Sequence, residues 1–306
     1  MVTPQAKREA VAYVLEAHHV TERRACAVMS VERSLIRYSS VKPKDTDLRS
    51  RLKAIALERR RFGYRRLAIF LRREGFACNI KKIYRIYREE NLMVKRRKGR
   101  KKAIGTRHQL QIPYMINQIW SLDFISDALA NGRRFRVMGV MDQYSRECLT
   151  LTVDTSIGGE RVVRELDLLV DERGKPECIV SDNGTEFTSK AVLQWAESNG
   201  IFWHYIQPGK PQQNGFTESL NDKIRNECLN ENWFDNLKDA QKIIEDWRSD
   251  YNHVRPHSSL NYETPAEFAS KKGGEKIKQN SSQAAVCARL LTVAQPSTCK
   301  TTKLCV

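Results

Sequence analysis

Ile119-Trp120-Ser121-Leu122-Asp123-Phe124-Ile125 sets an acidic residue inside a run with the composition of a buried strand. A carboxylate in such a place costs free energy unless a partner or a cation neutralises it. A second apolar run, Cys178-Ile179-Val180-Ser181, ends on Asp182 and turns at Asn183-Gly184. A third acid, Glu218, follows a loop rich in Pro and Gly and opens an amphipathic segment, with 35 residues between it and Asp182. Three carboxylates carried on separate elements suit a cage for two Mg²⁺ ions. Such ions take oxygen ligands and clamp a phosphodiester during in-line displacement.

Around these runs the pattern is that of strands and then of alternating helices and strands. Strands are expected at 119–126, 134–142 and 147–153, with Asn131-Gly132 as the first hairpin turn. A helix at 159–172, a strand at 178–182, a helix at 189–199 and a strand at 201–206 follow. Periodicity alone gives a mixed α/β domain. In the next helix, opening near Gln213, Glu218 and Arg225 lie about two turns apart and share a face. Asp222 falls on roughly that face and rivals Glu218 as third carboxylate. Asp142, ending the second strand, rivals Asp123; its other reading is a turn carboxylate bonded to Ser145 or Arg146.

The words around the three acids carry a resemblance. Trp120-Ser121-Leu122-Asp123-Phe124, Ser181-Asp182-Asn183-Gly184-Thr185-Glu186-Phe187 and Pro208-Gly209-Lys210-Pro211-Gln212-Gln213-Asn214-Gly215-Phe216-Thr217-Glu218-Ser219 resemble the DDE core of integrases and transposases. Arg225-Asn226-Glu227-Cys228-Leu229-Asn230 and Tyr251-Asn252-His253-Val254-Arg255-Pro256-His257-Ser258-Ser259-Leu260 narrow it to the OrfB product of IS3-family insertion sequence transposases, whose core is retroviral integrase-like. The resemblance runs from about residue 7 to about residue 269.

That resemblance implies an α/β fold: an RNase H-like catalytic core, a five-stranded mixed sheet with flanking helices. It implies Asp123, Asp182 and Glu218 as catalytic ligands of two Mg²⁺ (or Mn²⁺) ions, with Arg225 against a phosphate of the DNA end. Loop 207–217, including Gln213 and Asn214, is then the active-site loop touching the DNA terminus. Asn183 and Glu186 either support Asp182 or only form its turn. Strand cleavage and strand transfer at terminal inverted repeats are implied, in a homo-multimer that pairs two ends of double-stranded DNA. So is an association with an OrfA product or an OrfAB fusion. The family's Phe-Asn-Gly after the catalytic Glu-Ser is here Leu220-Asn221-Asp222, which leaves local contacts open.

The charge of the chain is concentrated at one end. Net charge is +17, yet residues 1–105 hold 29 Lys and Arg against 10 Asp and Glu, and residues 106–306 hold 24 against 26. A polyanion-binding arm joined to a near-neutral catalytic body fits that asymmetry. After Asn79, a helix cap, Ile80, Ile83, Tyr84 and Tyr87 form an apolar stripe, and Lys81, Lys82, Arg85 and Arg88 take the other arc. A helix at about 64–74 turns Tyr64, Leu67, Ala68 and Leu71 inward and Arg65, Arg66, Arg72 and Arg73 outward. With the break at Gly75-Phe76 this makes a helix-turn-helix at 45–94. Lys95-Arg96-Arg97-Lys98-Gly99-Arg100-Lys101-Lys102 begins a basic linker, 95–112, suited to lying along phosphates. A small helical unit at 1–44 precedes it, another DNA-reading module or a protein contact. The catalytic core spans 113–270 with C-terminal helices, and a tail at 271–306 is expected to be disordered.

Composition closes other routes. No apolar run approaches the roughly 18 residues of a membrane span, and eight scattered cysteines without a CxxC pair suit a reduced cytosolic protein rather than a disulfide scaffold; the resemblance implies a bacterial cytoplasmic protein associated with the nucleoid. Six histidines lack zinc-ligand spacing; His253 and His257 are read as bracing a C-terminal helix at 238–253, and the five tryptophans as packing. Two other functions compete: an RNase H-type nuclease acting on RNA–DNA hybrids, and a catalytically inert DNA-binding regulator. The basic N-terminal units argue against the first and the complete carboxylate set against the second.

Overall fold

In the computed structural model of the chain, residues 3–39, 45–94, 113–206 and 215–273 are described. Packing divides the chain into two compact units, Met1–Arg51 and Leu52–Val306. The linker residues Lys95, Arg96, Arg97 and Lys98, the loop residues Gln213 and Asn214, and the tail beyond residue 273 lie outside the described residues.

The first unit is helical. Helices α1 (Pro4–His18), α2 (Glu22–Val28) and α3 (Arg33–Arg37) enclose a small core of Val11, Ala25, Cys26 and Val31, with Val14, Leu15 and Ile36 packed on it. Thr3 caps α1 through its side chain, and Pro4 supplies a preset first turn. Helix α4 (Thr46–Glu58) was not expected from the sequence, although Leu48, Leu52 and Ile55 recur at helical spacing and all are buried.

In the second unit, α5 (Tyr64–Arg73) and α6 (Ile80–Glu89) form the helix-turn-helix pair. Their turn is a Schellman motif: Phe76 N donates to Leu71 O and Gly75 N to Arg72 O, with Gly75 at φ +90°. Asn79 accepts from Lys81 N and caps α6. The buried face of α6 is Ile83, Ile86 and Tyr87, which corrects the expected stripe, since Ile80 and Tyr84 are exposed. The buried arc of α6 runs from Ile86 through Ile83 to Tyr87, and Ile80 and Tyr84 fall at its margin. Tyr64 packs its ring on Tyr84 and Tyr87, with centroids 4.8 and 6.1 Å apart.

A five-stranded mixed sheet follows: β1 (Ile119–Ala128), β2 (Arg134–Asp142), β3 (Cys148–Asp154), β4 (Cys178–Ser181) and β5 (Phe202–Tyr205), in the order β3-β2-β1-β4-β5. The first three strands are antiparallel; β4 joins β1, and β5 joins β4, in parallel. This is the RNase H-like arrangement. Helices α7 (Gly159–Arg173) and α8 (Lys190–Asn199) cover one face, packing Val162, Leu166, Val192 and Trp195 on Trp120, Leu122 and Met138. Helices α9 (Gly215–Glu227) and α10 (Leu237–His253) cover the other, packing Leu220, Ile224, Ile244 and Tyr251 on Ile125, Val137 and Leu151. Both faces are thus buried, which is why the strand runs read as nearly continuous apolar sequence. Helix α11 (Pro265–Gly273) ends the described chain.

The Tyr-Asn…Arg-Pro-His segment ties α10 down. Asn252 Nδ2 donates to Cys148 O, and Asn252 Oδ1 accepts from Cys148 N, so one side chain pairs with the outer edge of β3. His257 is buried, with its ring edge-on to Tyr251 at 4.6 Å. His253 is exposed, so of the two histidines only His257 braces the helix. Trp120 and Trp195 are buried, whereas Trp233 is 84% exposed and packs in no core. No disulfide joins the five cysteines among the described residues, and no described helix is long and apolar enough to cross a membrane.

Candidate active site and nucleic-acid interface

Asp123 lies in the middle of β1, on the face that α9 covers, directly opposite Gly139 of β2. A side chain at Gly139 would meet Leu151 at 3.4 Å and Leu220 at 3.9 Å. Both are ordinary contact distances, so Leu220 of α9 packs on the sheet directly beside Asp123. Asp182 follows the last residue of β4. Ser121 pairs with Val180 in the parallel β1–β4 ladder, so Asp123 and Asp182 stand two residues further along neighbouring strands, which run about 4.8 Å apart. Glu218 is in the first turn of α9, where the helix dipole favours a carboxylate.

Electrostatics link the three. The Asp123 carboxyl is pushed up to about 6, by burial first and also by the negative charges of Asp182 and Glu218. Two hydrogen bonds oppose that shift: Phe124 N donates to Asp123 Oδ1 at 2.8 Å, and Asn221 Nδ2 donates to Asp123 Oδ2 at 2.7 Å. Asp182 Oδ1 accepts from Gly184 N at 3.1 Å. Among the described residues no three His, Cys, Asp or Glu side chains stand as a ready-made ligand cluster. The oxygens of Asp123 are engaged by the Asn221 and Phe124 donors. Carboxylate oxygens are the hard donors that Mg²⁺ or Mn²⁺ takes, and Asp123, Asp182 and Glu218 are the acids whose charges act on one another here.

The rival acids are placed elsewhere. Asp142 is 1% exposed and accepts from Tyr144 N and Ser145 N on Oδ1 and from Asn117 N on Oδ2, a turn carboxylate with its oxygens filled. Asp222 is exposed, and it is Asp182 and Glu218 whose charges bear on Asp123. Asn183 Nδ2 donates to Ile206 O and pins the turn after β4 to the end of β5. Glu186 forms an ion pair with Arg136, whose guanidinium lies 4.1 Å from the centroid of Phe124.

Asn221 escaped the sequence reading as a site residue. It sits three residues after Glu218, one turn along the same face of α9. That spacing was the available signal. Its Oδ1 is enclosed with no hydrogen-bond partner.

The basic residues fall into two groups. Arg65, Lys81, Arg85 and Arg88 are exposed on α5 and α6, and Lys82 is half-buried. Arg66 turns inward instead: its guanidinium is 4.0 Å from Glu227 and stacks on Phe62 at 5.3 Å. Arg59 and Arg61 likewise meet acids of the core, Arg59 in two bonds of 2.6 and 2.7 Å to Asp250 and Arg61 with Glu231 at 3.1 Å. A recess of about 310 Å³ beside these pairs, lined by Phe62, Trp247 and the charged side chains, is separate from the three carboxylates. Arg225 is exposed, and its Nη2 donates to Ser126 O near the end of β1.

Comparison with known proteins agrees with this layout. The integrase core domain family matches residues 113–211 and, in a second form, 199–265; an HTH-like domain family matches 43–100. The chain is 46% identical over 259 residues to the uncharacterized 31.7 kDa protein of insertion element IS407 from Burkholderia multivorans, covering 84% of this chain and 94% of that protein. It is 45% identical over 270 residues to the uncharacterized 39.2 kDa protein of insertion element IS476 from Xanthomonas euvesicatoria, covering 88% and 78%. The transposase InsD of insertion element IS2 from Escherichia coli is 28% identical over 77% of this chain and 82% of its own. Among solved structures, the simian T-cell lymphotropic virus intasome aligns over 75% of this chain and 78% of the matched one, with a TM-score of 0.50 and 15% identity, a likeness of fold.

Proposed function

The chain belongs to the IS3-family insertion-element transposases of the OrfB type, built on an integrase core domain, and from that membership we propose that it cuts and joins DNA strands at the ends of its element. Asp123, Asp182 and Glu218 are the proposed catalytic and metal-holding residues. Bound among them, two Mg²⁺ or Mn²⁺ ions would polarise the scissile phosphate and stabilise the attacking and leaving oxygens of in-line displacement. The observation that carries the reading is the β1–β4 register, Ser121 opposite Val180, which brings Asp123 and Asp182 to neighbouring positions on the sheet, with Glu218 in the first turn of the helix packed on that face; the upward shift of the Asp123 carboxyl, by burial first and then by the other two acids, is consistent with it.

The remaining residues bind and orient. Arg225, at the far end of α9 from Glu218, is suited to a phosphate of the DNA end, and the loop bearing Gln213 and Asn214 to its terminal bases. Arg65, Lys81, Lys82, Arg85 and Arg88, followed by Lys95, Arg96, Arg97 and Lys98, would neutralise duplex phosphates, with α6 as the element entering the major groove. Arg66, facing Glu227, would have to leave that acid to join them. The proposed divisions are a helical unit at 1–44, the helix-turn-helix at 45–94, a basic linker at 95–112 and the catalytic core at 113–270. The partners proposed are terminal inverted repeats, target DNA, further copies of the chain on paired ends and an OrfA product, in the bacterial cytoplasm.

The test is strand cleavage and strand transfer with duplexes derived from the element's ends, with Mg²⁺. The wild-type chain should nick and join them. Asp182→Asn and Glu218→Gln should each lose about a thousandfold or more, the rate equivalent of several kcal/mol of charge stabilisation, while Asp222→Asn stays near wild type. Activity surviving Asp182→Asn, or cleavage confined to RNA–DNA hybrids, would contradict the proposal.

A further inference from the structure

We propose that α2 and α3 of the first unit form a second helix-turn-helix, and that the outer face of α3 reads duplex DNA separately from the α5–α6 pair. The inference goes beyond strand cutting and rests only on the reading that the chain binds the ends of its element. Met29, Ser30, Val31 and Glu32 join the two helices, and their turn is a Schellman motif. Ser30 N donates to Ala27 O at 3.2 Å and Val31 N to Cys26 O at 2.9 Å, with Ser30 at φ +50°. The turn between α5 and α6 has the same two bonds and the same left-handed residue, there Gly75. A serine in that conformation is uncommon. It is held because Cys26 and Val31, on either side of it, are both buried in the core of the unit. Helix α1 supports the pair from behind: Val11 is in the same core, and Arg8 Nε donates to Leu35 O at 2.9 Å.

Packing decides which face of α3 is left for a ligand. Leu35 and Ile36 turn to the core, while Arg33, Ser34 and Arg37 are exposed. Arg33 and Arg37 lie one turn apart, and both donate through Nε to Glu22 Oε1, at 3.3 and 2.9 Å. One carboxylate at the start of α2 thus holds two guanidinium groups side by side. Their terminal nitrogens carry the remaining donors, the fork that meets guanine O6 and N7 or a pair of phosphate oxygens. Helix α3 is short, Arg33–Arg37, yet the base contacts of such a pair come from the opening residues of its second helix. Arg23 and Arg24, exposed on α2, are cations of the kind with which a first helix crosses the phosphate backbone. A protein partner would call for apolar surface at the centre of the contact. The outward face of α3 offers two arginines and a serine instead.

The test is hydroxyl-radical footprinting of the full chain on a duplex carrying an end of the element, without Mg²⁺ or Mn²⁺, so that no strand is cut. The wild-type chain should protect two separate blocks. Arg33→Ala combined with Arg37→Ala should lose one block and bind about ten- to a hundredfold more weakly. Lys81→Ala combined with Arg88→Ala should lose the other block. Thermal melting checks folding; the Glu22 pairs are partly exposed, and their loss should move it little. If the arginine variant melts early, Ser34→Glu decides. It sets a negative charge on the same face, keeps the Glu22 pairs and should lose the same block. A footprint unchanged in the arginine variant, or in Ser34→Glu, overturns the proposal. An unchanged footprint with fewer copies in sedimentation also overturns it, and makes the face a protein contact. Protection lost only in the Lys81 and Arg88 variant removes the role of α3 alone, whereas no protection by the wild-type chain removes the DNA-end reading with it.

Discussion

Arg255 and Glu227 meet in the interior as a two-pronged ion pair, Nε to Oε2 at 2.7 Å and Nη2 to Oε1 at 2.6 Å, with Arg255 2% exposed. The pair joins the segment after α10 to the end of α9, the helix that carries Glu218. Removing one partner leaves the other charge enclosed, with Arg66 at 4.0 Å and Lys223 as cations near Glu227. Arg255→Met should therefore cost about 3–5 kcal/mol in urea unfolding. Arg255→Met combined with Glu227→Met should cost less than Arg255→Met alone. A double variant whose loss equals the sum of the single losses would contradict the coupling.

His257 supplies a pH signature. Burial first, and then the charges of Arg255, Lys223 and Arg66, push its imidazole down to about 2. The unfolded imidazole titrates near 6.5, so between about 2 and 6.5 the unfolded chain binds the extra proton. The stability contributed by neutral His257 is full above 6.5 and is lost as pH falls through that window, at up to about 1.4 kcal/mol per pH unit. His257→Phe keeps an aromatic edge on Tyr251 and removes the titration. Urea midpoints measured from pH 7 to pH 4.5 should fall less steeply in His257→Phe than in wild type; parallel slopes would contradict the assignment.

Gly159 opens α7 against the cap of α8. A side chain there would come within 2.0 Å of Ser189 Oγ and 2.7 Å of Ser189 Cβ, and Ser189 caps α8 by accepting from Val192 N. Gly159→Ala should cost about 1–3 kcal/mol through overpacking. Ser189→Gly in the same chain should recover part of that loss. If Gly159→Ala is neutral in thermal melting, the two helix starts are not packed as described.

Much of this was legible in the sequence because the core is built on two-sided burial. Apolar runs ending on or enclosing an acid at 123 or 182 announced the strands, and Asn79 and Gly75-Phe76 announced the helix-turn-helix by their cap chemistry. What was not legible depends on neighbours distant in sequence. The strand register that sets Asp182 beside Asp123 joins residues on β1 and β4, and nothing local to either run encodes it. On α6 the apolar stripe of Ile80, Ile83, Tyr84 and Tyr87 differs from the buried face, which turns toward Ile86 and leaves Ile80 and Tyr84 at its margin, a rotation set by packing neighbours and not by local spacing. His253 and His257 look alike in sequence and differ only in which reaches Tyr251. Arg66 has the composition of a DNA contact, and only the position of Glu227 turns it inward. Asn221 keeps the Asn of the family's Phe-Asn-Gly while Leu220 and Asp222 beside it depart, and its hydrogen bond to Asp123 depends on α9 being seated on the sheet.

The most direct measurement is a crystal structure of the chain soaked in Mn²⁺, with the ions located by their anomalous scattering. The account predicts two peaks about 3.5–4 Å apart, within ligand distance of the oxygens of Asp123, Asp182 and Glu218. Peaks that exclude any one of these side chains, or a fully occupied ion bound only elsewhere on the protein, would contradict it.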